Sequence, residues 1–409
     1  MRKRKLSRPH VDLLEIINKV AEISNLRDIE FVIEVGCDNV DCFIGGLHVV
    51  RMRGMSDKFK IKRSFIVKWH PNPVERACFR EAYLREIAYY KSAVPVLLDI
   101  QRRYKVIEGL RMKFPNCIFS STERGKECVT VLIEHREYFF FDRLNKIDLN
   151  HAILVIKNLA KLHALSFTLA KVDPQKFNEI KDIFSKDVQY GDATVIPKSL
   201  ITFFLASVAV VSDTDAKEKL MKLAPSIILV LNKCTSPIEN YGTICHSDCW
   251  NNNLIFKYQN KKPVDSLLVD FQLSRYASPV TDLSYFFYMS TESSFLDKHY
   301  DSLINIYYGT LSAVLRQCDL FAEDIYPRGV FQKHLEDYSV YGLVEALISM
   351  KIITAESEEV TKLTEMKYNQ PDELCQYELE NQSLYTERVN GVVNHFFKKN
   401  YALYNVLSL

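Results

Sequence analysis

The spacing of apolar positions changes character about a third of the way along the chain. In the first part, short runs rich in β-branched and aromatic residues are bounded by turn residues and predict strands: Phe31–Val35, Gly46–Val50 and Arg63–Trp69. Two further strand candidates lie near Cys117–Ser120 and Cys128–Glu134, on either side of the polar turn STERGKE. Between these groups, Glu75–Ser92 has helical spacing and places Phe79, Ala82, Tyr83, Glu86 and Tyr90 on one face.

After Glu134 helical patterns dominate. Asn150–Leu169 predicts a long helix with Asn150 as its N-cap. The run Leu200–Val211 is the longest apolar stretch but too short to span a bilayer, so it predicts a buried helix and no membrane span. The helical pattern is interrupted at Ile244–Leu273, where NLIF and SLLVDF flank the polar turn YQNKKPVD, as in a hairpin. The expectation is an α+β chain of two lobes. A small β-rich N-lobe with one helix takes residues 1–134, and a larger, mostly helical C-lobe takes residues 135–409.

Composition narrows the function classes. A length of 409 residues suits two lobes better than one compact domain. With 47% hydrophobic and 25% charged residues, the chain is ordinary globular protein, and 12 glycines and 13 prolines leave little for long linkers. A net charge of +2 lacks the basic footprint of a nucleic-acid binder. The N-terminal sequence MRKRKLSRPHVDLLEIINKV has basic residues, read as a solvated tail, but no apolar leader core. With ten cysteines and no C-x-x-C pair, this predicts reduced thiols in a cytoplasmic protein. Cys245 and Cys249 flank His246 and Asp248, but no second ligand pair has zinc-site spacing.

The densest chemical signal is Ile244–Phe256, ICHSDCWNNNLIF. It reads His-x-Asp, with an Asn five positions after the Asp, the spacing of a kinase catalytic loop. Asp270-Phe271-Gln272 follows at the end of an apolar run, where kinases carry D-F-G, with Gln in the Gly position. Asp248 and Asp270 are therefore expected at the ends of adjacent short strands, facing one site. Phosphoryl transfer demands positioning and charge neutralisation more than covalent chemistry. Asp270 and Asn253 offer hard oxygen ligands for Mg²⁺. Asp248 would accept the proton of the attacking hydroxyl. His246 is read as a buttress of the loop. Three successive asparagines also suit a plain polar turn, and Asn251 and Asn252 are read as turn or solvent residues.

Upstream, Lys68 ends the run SFIV and can reach the α- and β-phosphates of ATP, while Glu86 on the following helix can pair with it. Glu134 closes the last N-lobe strand, where backbone groups can meet an adenine edge; its side chain reads equally well as a surface charge. Gly36–Gly46 lacks G-x-G-x-x-G and is either a phosphate-covering loop or a hairpin turn. His163, on an apolar face, reads as a satisfied core histidine. Asp282 is either a helix cap or an anchor for the catalytic loop.

These residues carry a family resemblance. HSDCWNNNLIF followed by VDFQLSRYASPVTDLSYFFY resembles the ecdysteroid kinase-like family, a branch of the choline-kinase and aminoglycoside-phosphotransferase-like superfamily. Its H-G-D-x-W-x-x-N-x-x-F, D-F-Q and P-x-x-D-L segments match His246, Asp248, Trp250, Asn253, Phe256, Asp270, Phe271, Gln272, Pro279, Asp282 and Leu283. FIVK, REIAYYKSAVP and LAKLHALS extend the resemblance upstream, placing the nucleotide lysine at Lys68 and its ion-pair partner at Glu86. The resemblance covers roughly Gly36 to Tyr288. It implies a protein-kinase-like fold and ATP- and Mg²⁺-dependent phosphorylation of a hydroxyl on a small, lipophilic molecule, an ecdysteroid or a xenobiotic alcohol. A kinase-like binding protein of weak activity is the alternative. Ser247 departs from the pattern, which has Gly there; Ser fits if the backbone φ is negative. Phe203–Val230 and the stretch after Tyr285 are expected to shape an apolar acceptor pocket. A protein kinase is disfavoured, because PVTDLSYF begins within a few residues of D-F-Q and leaves no room for an activation loop.

Overall fold

In a computed structural model, the protein is described over residues 10–35, 47–70, 72, 77, 79–133, 138–186, 195–369 and 371–408. Glu134 and the Gly36–Gly46 segment lie outside these residues.

The N-terminal part is a five-stranded antiparallel sheet in the order β1-β2-β3-β5-β4. Its strands are β1 (Arg27–Val35), β2 (Leu47–Ser56), β3 (Phe59–Lys68), β4 (Asn116–Ser121) and β5 (Cys128–Ile133). Each of the five overlaps a predicted strand run. The period-2 alternation of β3 sorts its residues between two cores. Phe65 and Val67 pack in a small cluster with helix α1 (Val11–Ile23), which covers the sheet on one side. Ile66 joins the main core on the other side. Lys68 shares the parity of Ile66, so it also faces the main core. Helix α1 adds a second helix to the N-terminal part that the spacing argument did not predict. Leu13, Ile16, Ile17, Val20 and Ala21 form its buried stripe.

The one predicted N-terminal helix runs as α2 (Arg80–Ala88), a π-helical turn at Tyr89–Ala93, and α3 (Val94–Arg103). Pro95 follows the π turn; it has no N–H to give to the preceding turn, a common setting for such irregularities.

The C-terminal part is helical around two small ribbons. Its long helix α4 spans Leu149–Val172, capped by Asp148, not by Asn150: the Asp148 side chain accepts from the amide of His151. This helix is long and apolar enough to cross a membrane, but 78% of that window is buried within the protein. Next come α5 (Pro174–Phe184), α6 (Val195–Ala209), α7 (Thr214–Leu223) and α8 (Ile227–Thr235). The ribbons follow: β7 (Thr243–Cys245) pairs with β10 (Arg275–Ala277), and β6 (Tyr138–Phe140), β8 (Leu254–Gln259) and β9 (Lys262–Leu268) form a separate three-stranded sheet. The chain ends in α9 (Pro279–Ser290), α10 (Ser293–Gln317), α11 (Arg328–Ile353) and further helices to Lys398. An antiparallel sheet followed by a helical part that carries a catalytic-loop hairpin is the α+β, kinase-like layout the sequence predicts.

Candidate active site

Lys68 sits on the central strand of the sheet, paired with Leu47 on one side and Val129 on the other. Its Nζ donates to Glu86 Oε2 at 3.0 Å, to Asp270 Oδ1 at 2.6 Å and to Gln272 Oε1 in a very short contact. An ammonium has three N–H bonds, so this arrangement uses all of them. Burial works against the Lys68 charge, but Asp270 and then Glu86 outweigh it and hold the ammonium well above the usual lysine range. Burial pushes the Glu86 carboxyl up to about 7, with Lys68 opposing. Lys68 and Glu86 are 5% and 3% exposed, so this pair is sheltered from the screening that weakens surface ion pairs.

Asp270 and Gln272 reach Lys68 because the chain turns sharply after β9. Asp270 has φ +68°, in the left-handed region, and a 3₁₀ turn over Phe271–Leu273 follows. The Phe271 ring fills the seam below. It stacks on Tyr89 with centroids 3.9 Å apart, meets Tyr90 edge-on and lies 4.7 Å from the His246 ring. Tyr89 and Tyr90 belong to the π turn, which brings consecutive residues onto one aromatic anchor.

The catalytic-loop residues converge on the same region. Asp248 Oδ1 accepts from the Tyr285 hydroxyl at 2.8 Å, and Oδ2 accepts from Asn253 Nδ2 at 2.9 Å. Burial and then the Asp270 charge push the Asp248 carboxyl well above its usual range, and the two donors oppose them. Asn253 Nδ2 also donates to the Asp248 carbonyl at 2.8 Å. Two acceptors on Nδ2 fix the amide orientation and leave Oδ1 without a hydrogen bond among the described residues. That is the atom a hard cation would need, together with a carboxylate oxygen such as that of Asp270.

His246 is fully buried. Its Nδ1 accepts from the amide of Asp248 at 3.2 Å, so Nε2 carries the proton that goes to the Val269 carbonyl at 3.0 Å. Burial depresses its pKa, keeping this neutral tautomer. The imidazole therefore ties the Asp248 turn to the strand end just before Asp270. The two aspartates do not sit on adjacent strands, as the sequence suggests: the strand before Asp248 pairs with β10, and the one before Asp270 pairs with β8. The His246 bridge and the Val269 amide, which donates to the Asn253 carbonyl at 3.1 Å, join the two ribbons instead.

Asp282 is an anchor. Its Oδ2 accepts from the His246 amide and its Oδ1 from the Ser247 amide, both at 2.7 Å, while Ser278 caps α9. Ser247 has φ +66°, so the expected negative φ does not hold, and the serine occupies a left-handed position that glycine would adopt without cost. His163 is a bonded core histidine: its ring nitrogens meet Tyr307 at 2.8 Å and Asp282 at 3.0 Å. Ligand atoms of His163, Cys245 and Asp282 lie within 4.8 Å of one another, but those of His163 and Asp282 are committed to hydrogen bonds. Asn251 is not a solvent residue. It is 3% exposed, and its Nδ2 donates to the carbonyls of Arg143 and Asn145. Cys117, Cys128, Cys234, Cys245, Cys249 and Cys318 are free thiols.

Sequence reasoning brings Lys68, Glu86, His246, Asp248, Asn253 and Asp270 to this region. It misses Tyr285 and the contact of Gln272 with Lys68. Gln272 stands in the matched D-F-Q and Tyr285 two residues past P-x-x-D-L, but only the folded chain aims their side chains.

The sheet, the helix-borne glutamate on a buried lysine, and the paired loops have the layout of the small-molecule, kinase-like phosphotransferase family. The chain belongs to the ecdysteroid kinase-like family, whose model matches residues 39–320. No functionally characterised, curated sequence matches the chain significantly. Among solved structures, the chain is similar to the streptomycin–ATP ternary complex of the aminoglycoside phosphotransferase APH(2")-IIa. The identity is 12% and the TM-score 0.38, over 90% of this chain and 99% of that one. It is also similar to the GDP complex of aminoglycoside 2'-phosphotransferase-IIIa, at 9% identity and TM-score 0.39 over 93% and 99% of the two chains. A glucosamine kinase in complex with glucosamine, ADP and phosphate matches at 13% identity and TM-score 0.34, over 96% and 87%.

Proposed function

We propose that this protein transfers the γ-phosphoryl group of ATP, with Mg²⁺, to a hydroxyl of a small, lipophilic molecule, an ecdysteroid or a xenobiotic alcohol. The observation that carries this reading is the convergence on one region of Lys68 with its buried partner Glu86, Asp270, and the Asp248–Asn253 pair. Lys68 has the reach and charge to hold the nucleotide phosphates, and Glu86 keeps its side chain extended. Asp270 and the Oδ1 of Asn253 would hold Mg²⁺ through oxygen, and the ion would supply charge neutralisation for the phosphates there. Asp248 takes the hydroxyl proton as the nucleophile attacks. His246 holds the loop in register and carries no proton in the reaction. Phosphates entering the site would displace Asp270 and Gln272 from the Lys68 N–H groups.

The test is turnover of γ-labelled ATP by the purified chain with a panel of steroid and plant alcohols, scored by product mass. Absence of both Mg·ATP binding and transfer overturns the reading. ATP binding without transfer leaves a kinase-like binding protein. In the same assay, Asp270→Asn should lose Mg²⁺-dependent nucleotide binding, whereas Asp248→Asn should bind ATP and lose transfer. Equal loss of both functions in the Asp248 variant would assign that residue to metal binding or folding.

A further inference from the structure

Beside Asp248 lies an aromatic and charged cluster of which the phosphoryl-transfer residues use only the Tyr285 hydroxyl. The Tyr285 ring, whose hydroxyl donates to Asp248, packs on Tyr341 with centroids 6.0 Å apart and planes inclined by 28°. Tyr341 is fixed there because α9 and α11 meet closely. Gly342 lies against Ser284, where a Cβ would come within 2.3 Å of the Ser284 backbone, and its amide donates to Ser284 Oγ at 3.2 Å. Glu345 is one helical turn beyond Tyr341 and so shares its face of α11. Arg275, paired across the ribbon with Cys245, supplies the charge that attracts Glu345.

Glu345 is half-buried, and its carboxylate makes no hydrogen bond or ion pair among the described residues. Burial pushes it up to about 7, with Arg275 opposing. Tyr285 and Tyr341 each feel the charges of both Asp248 and Glu345, so both carboxylates lie near the same aromatic pair. A sheltered carboxylate without an internal donor is costly, and a donor on a ligand relieves that cost.

We propose that Glu345, Tyr341 and Arg275 form an acceptor-recognition subsite that binds a second polar group of the acceptor while the hydroxyl to be phosphorylated lies at Asp248. The inference rests on the phosphotransferase reading above and deepens it. The aromatic pair offers a flat apolar face, Glu345 accepts from a hydroxyl or amine, and Arg275 donates to an oxygen. The acceptor class is then a rigid, largely apolar ring compound with at least two hydrogen-bonding groups, a diol or amino alcohol in preference to a monoalcohol. A site built to bond a second hydroxyl discriminates strongly against an analogue without it, because its own groups are left unpaired.

The test uses the full chain with Mg·ATP and matched mono- and dihydroxy compounds on steroid and terpenoid skeletons, with ADP release and product mass as readouts. The wild-type protein should favour the dihydroxy member of a pair by about tenfold or more in kcat/KM. Glu345→Leu should erase that preference and raise the acceptor KM about tenfold, while the KM for ATP moves less than about twofold. Glu345→Gln, nearly isosteric and still an acceptor, should lose less. If the Leu variant does not fold, as read from its melting curve, Tyr341→Ala and Glu345→Gln carry the test, and each should narrow the preference. Equal turnover of both members by wild type, or an unchanged preference in the variants, overturns the subsite and leaves the phosphotransferase reading standing. Transfer to no alcohol of any kind overturns both.

Discussion

The carboxylate of Asp282 accepts from the backbone amide of Ser247 at 2.7 Å, and Ser247 holds φ +66°. A buried carboxylate 35 positions downstream thus holds a non-glycine residue in a left-handed conformation. Left-handed backbone costs such a residue about 1–2 kcal/mol. Glycine avoids that cost but loses more freedom on folding, about 0.5–1 kcal/mol. Ser247→Gly should therefore stay within about 1 kcal/mol of the parent, on the stable side. Ser247→Val adds β-branching and bulk at a position only 3% exposed, and should cost more than about 2 kcal/mol. Denaturant midpoints decide this, and a Val variant as stable as the parent would contradict the backbone assignment.

Tyr285 positions Asp248 and does not itself react. Tyr285→Phe removes one donor to a buried carboxylate and keeps the ring stacked on Tyr341. A hydrogen bond to a charged group contributes about 1.5–3 kcal/mol. In the proposed reaction kcat should fall about tenfold or more, with the KM for ATP little changed. A variant with parental kcat would show that Asp248 needs no help from Tyr285.

The hydroxyl of Tyr89 is buried without a partner among the described residues, although its ring stacks on Phe271. Tyr89→Phe keeps the stack and deletes an unsatisfied group. It should raise stability by about 1 kcal/mol. Phe271→Ala should instead cost about 3–5 kcal/mol, because the ring is fully buried. Thermal melting of the two variants would show opposite shifts; a destabilised Tyr89→Phe would reveal a partner for that hydroxyl.

Buried histidines set an acid limit on stability. Burial, helped by the charge of Lys399, drives the pKa of His395 down to about 4, while Asp297 and Asp301 oppose. His395 is 3% exposed, and its Nδ1 lies 3.1 Å from the Tyr288 hydroxyl. Its folded pKa is depressed, so its contribution is complete above the unfolded value near 6.5 and is lost as pH falls towards 4. One such group accounts for up to about 3 kcal/mol. Unfolding free energy should drop across that window, and His395→Gln should flatten the drop. A pH profile unchanged by the substitution would remove His395 as a cause.

Much of the fold was legible because the N-terminal sheet and the helical C-terminal part both announce their elements by local sequence pattern. The strands of the N-terminal sheet carry short β-branched and aromatic runs bounded by turn residues, and Leu149–Val172 carries a broad apolar face that can only be buried. Helix α1 is not legible by spacing because its short apolar stripe adjoins a basic terminal run. The cap of α4 was misplaced by two residues because Asp148 and Asn150 both suit the position, and only hydrogen-bond geometry separates them.

The sequence by itself determined the chemistry available to the site. His-x-Asp, the Asn at fixed spacing, Asp-Phe-Gln, the strand-end Lys68 and the helical Glu86 are local patterns, and local patterns survive in a linear text. Tertiary structure decided what those groups face. Lys68 and Gln272 are 204 positions apart, and no spacing rule links them. The roles of Tyr285 and Asp282 depend on where α9 packs, because a side chain's partner is set by which elements meet across the core. Ser247 shows the same division: the sequence reveals the departure from glycine, and only the backbone, pulled by Asp282, gives the sign of φ.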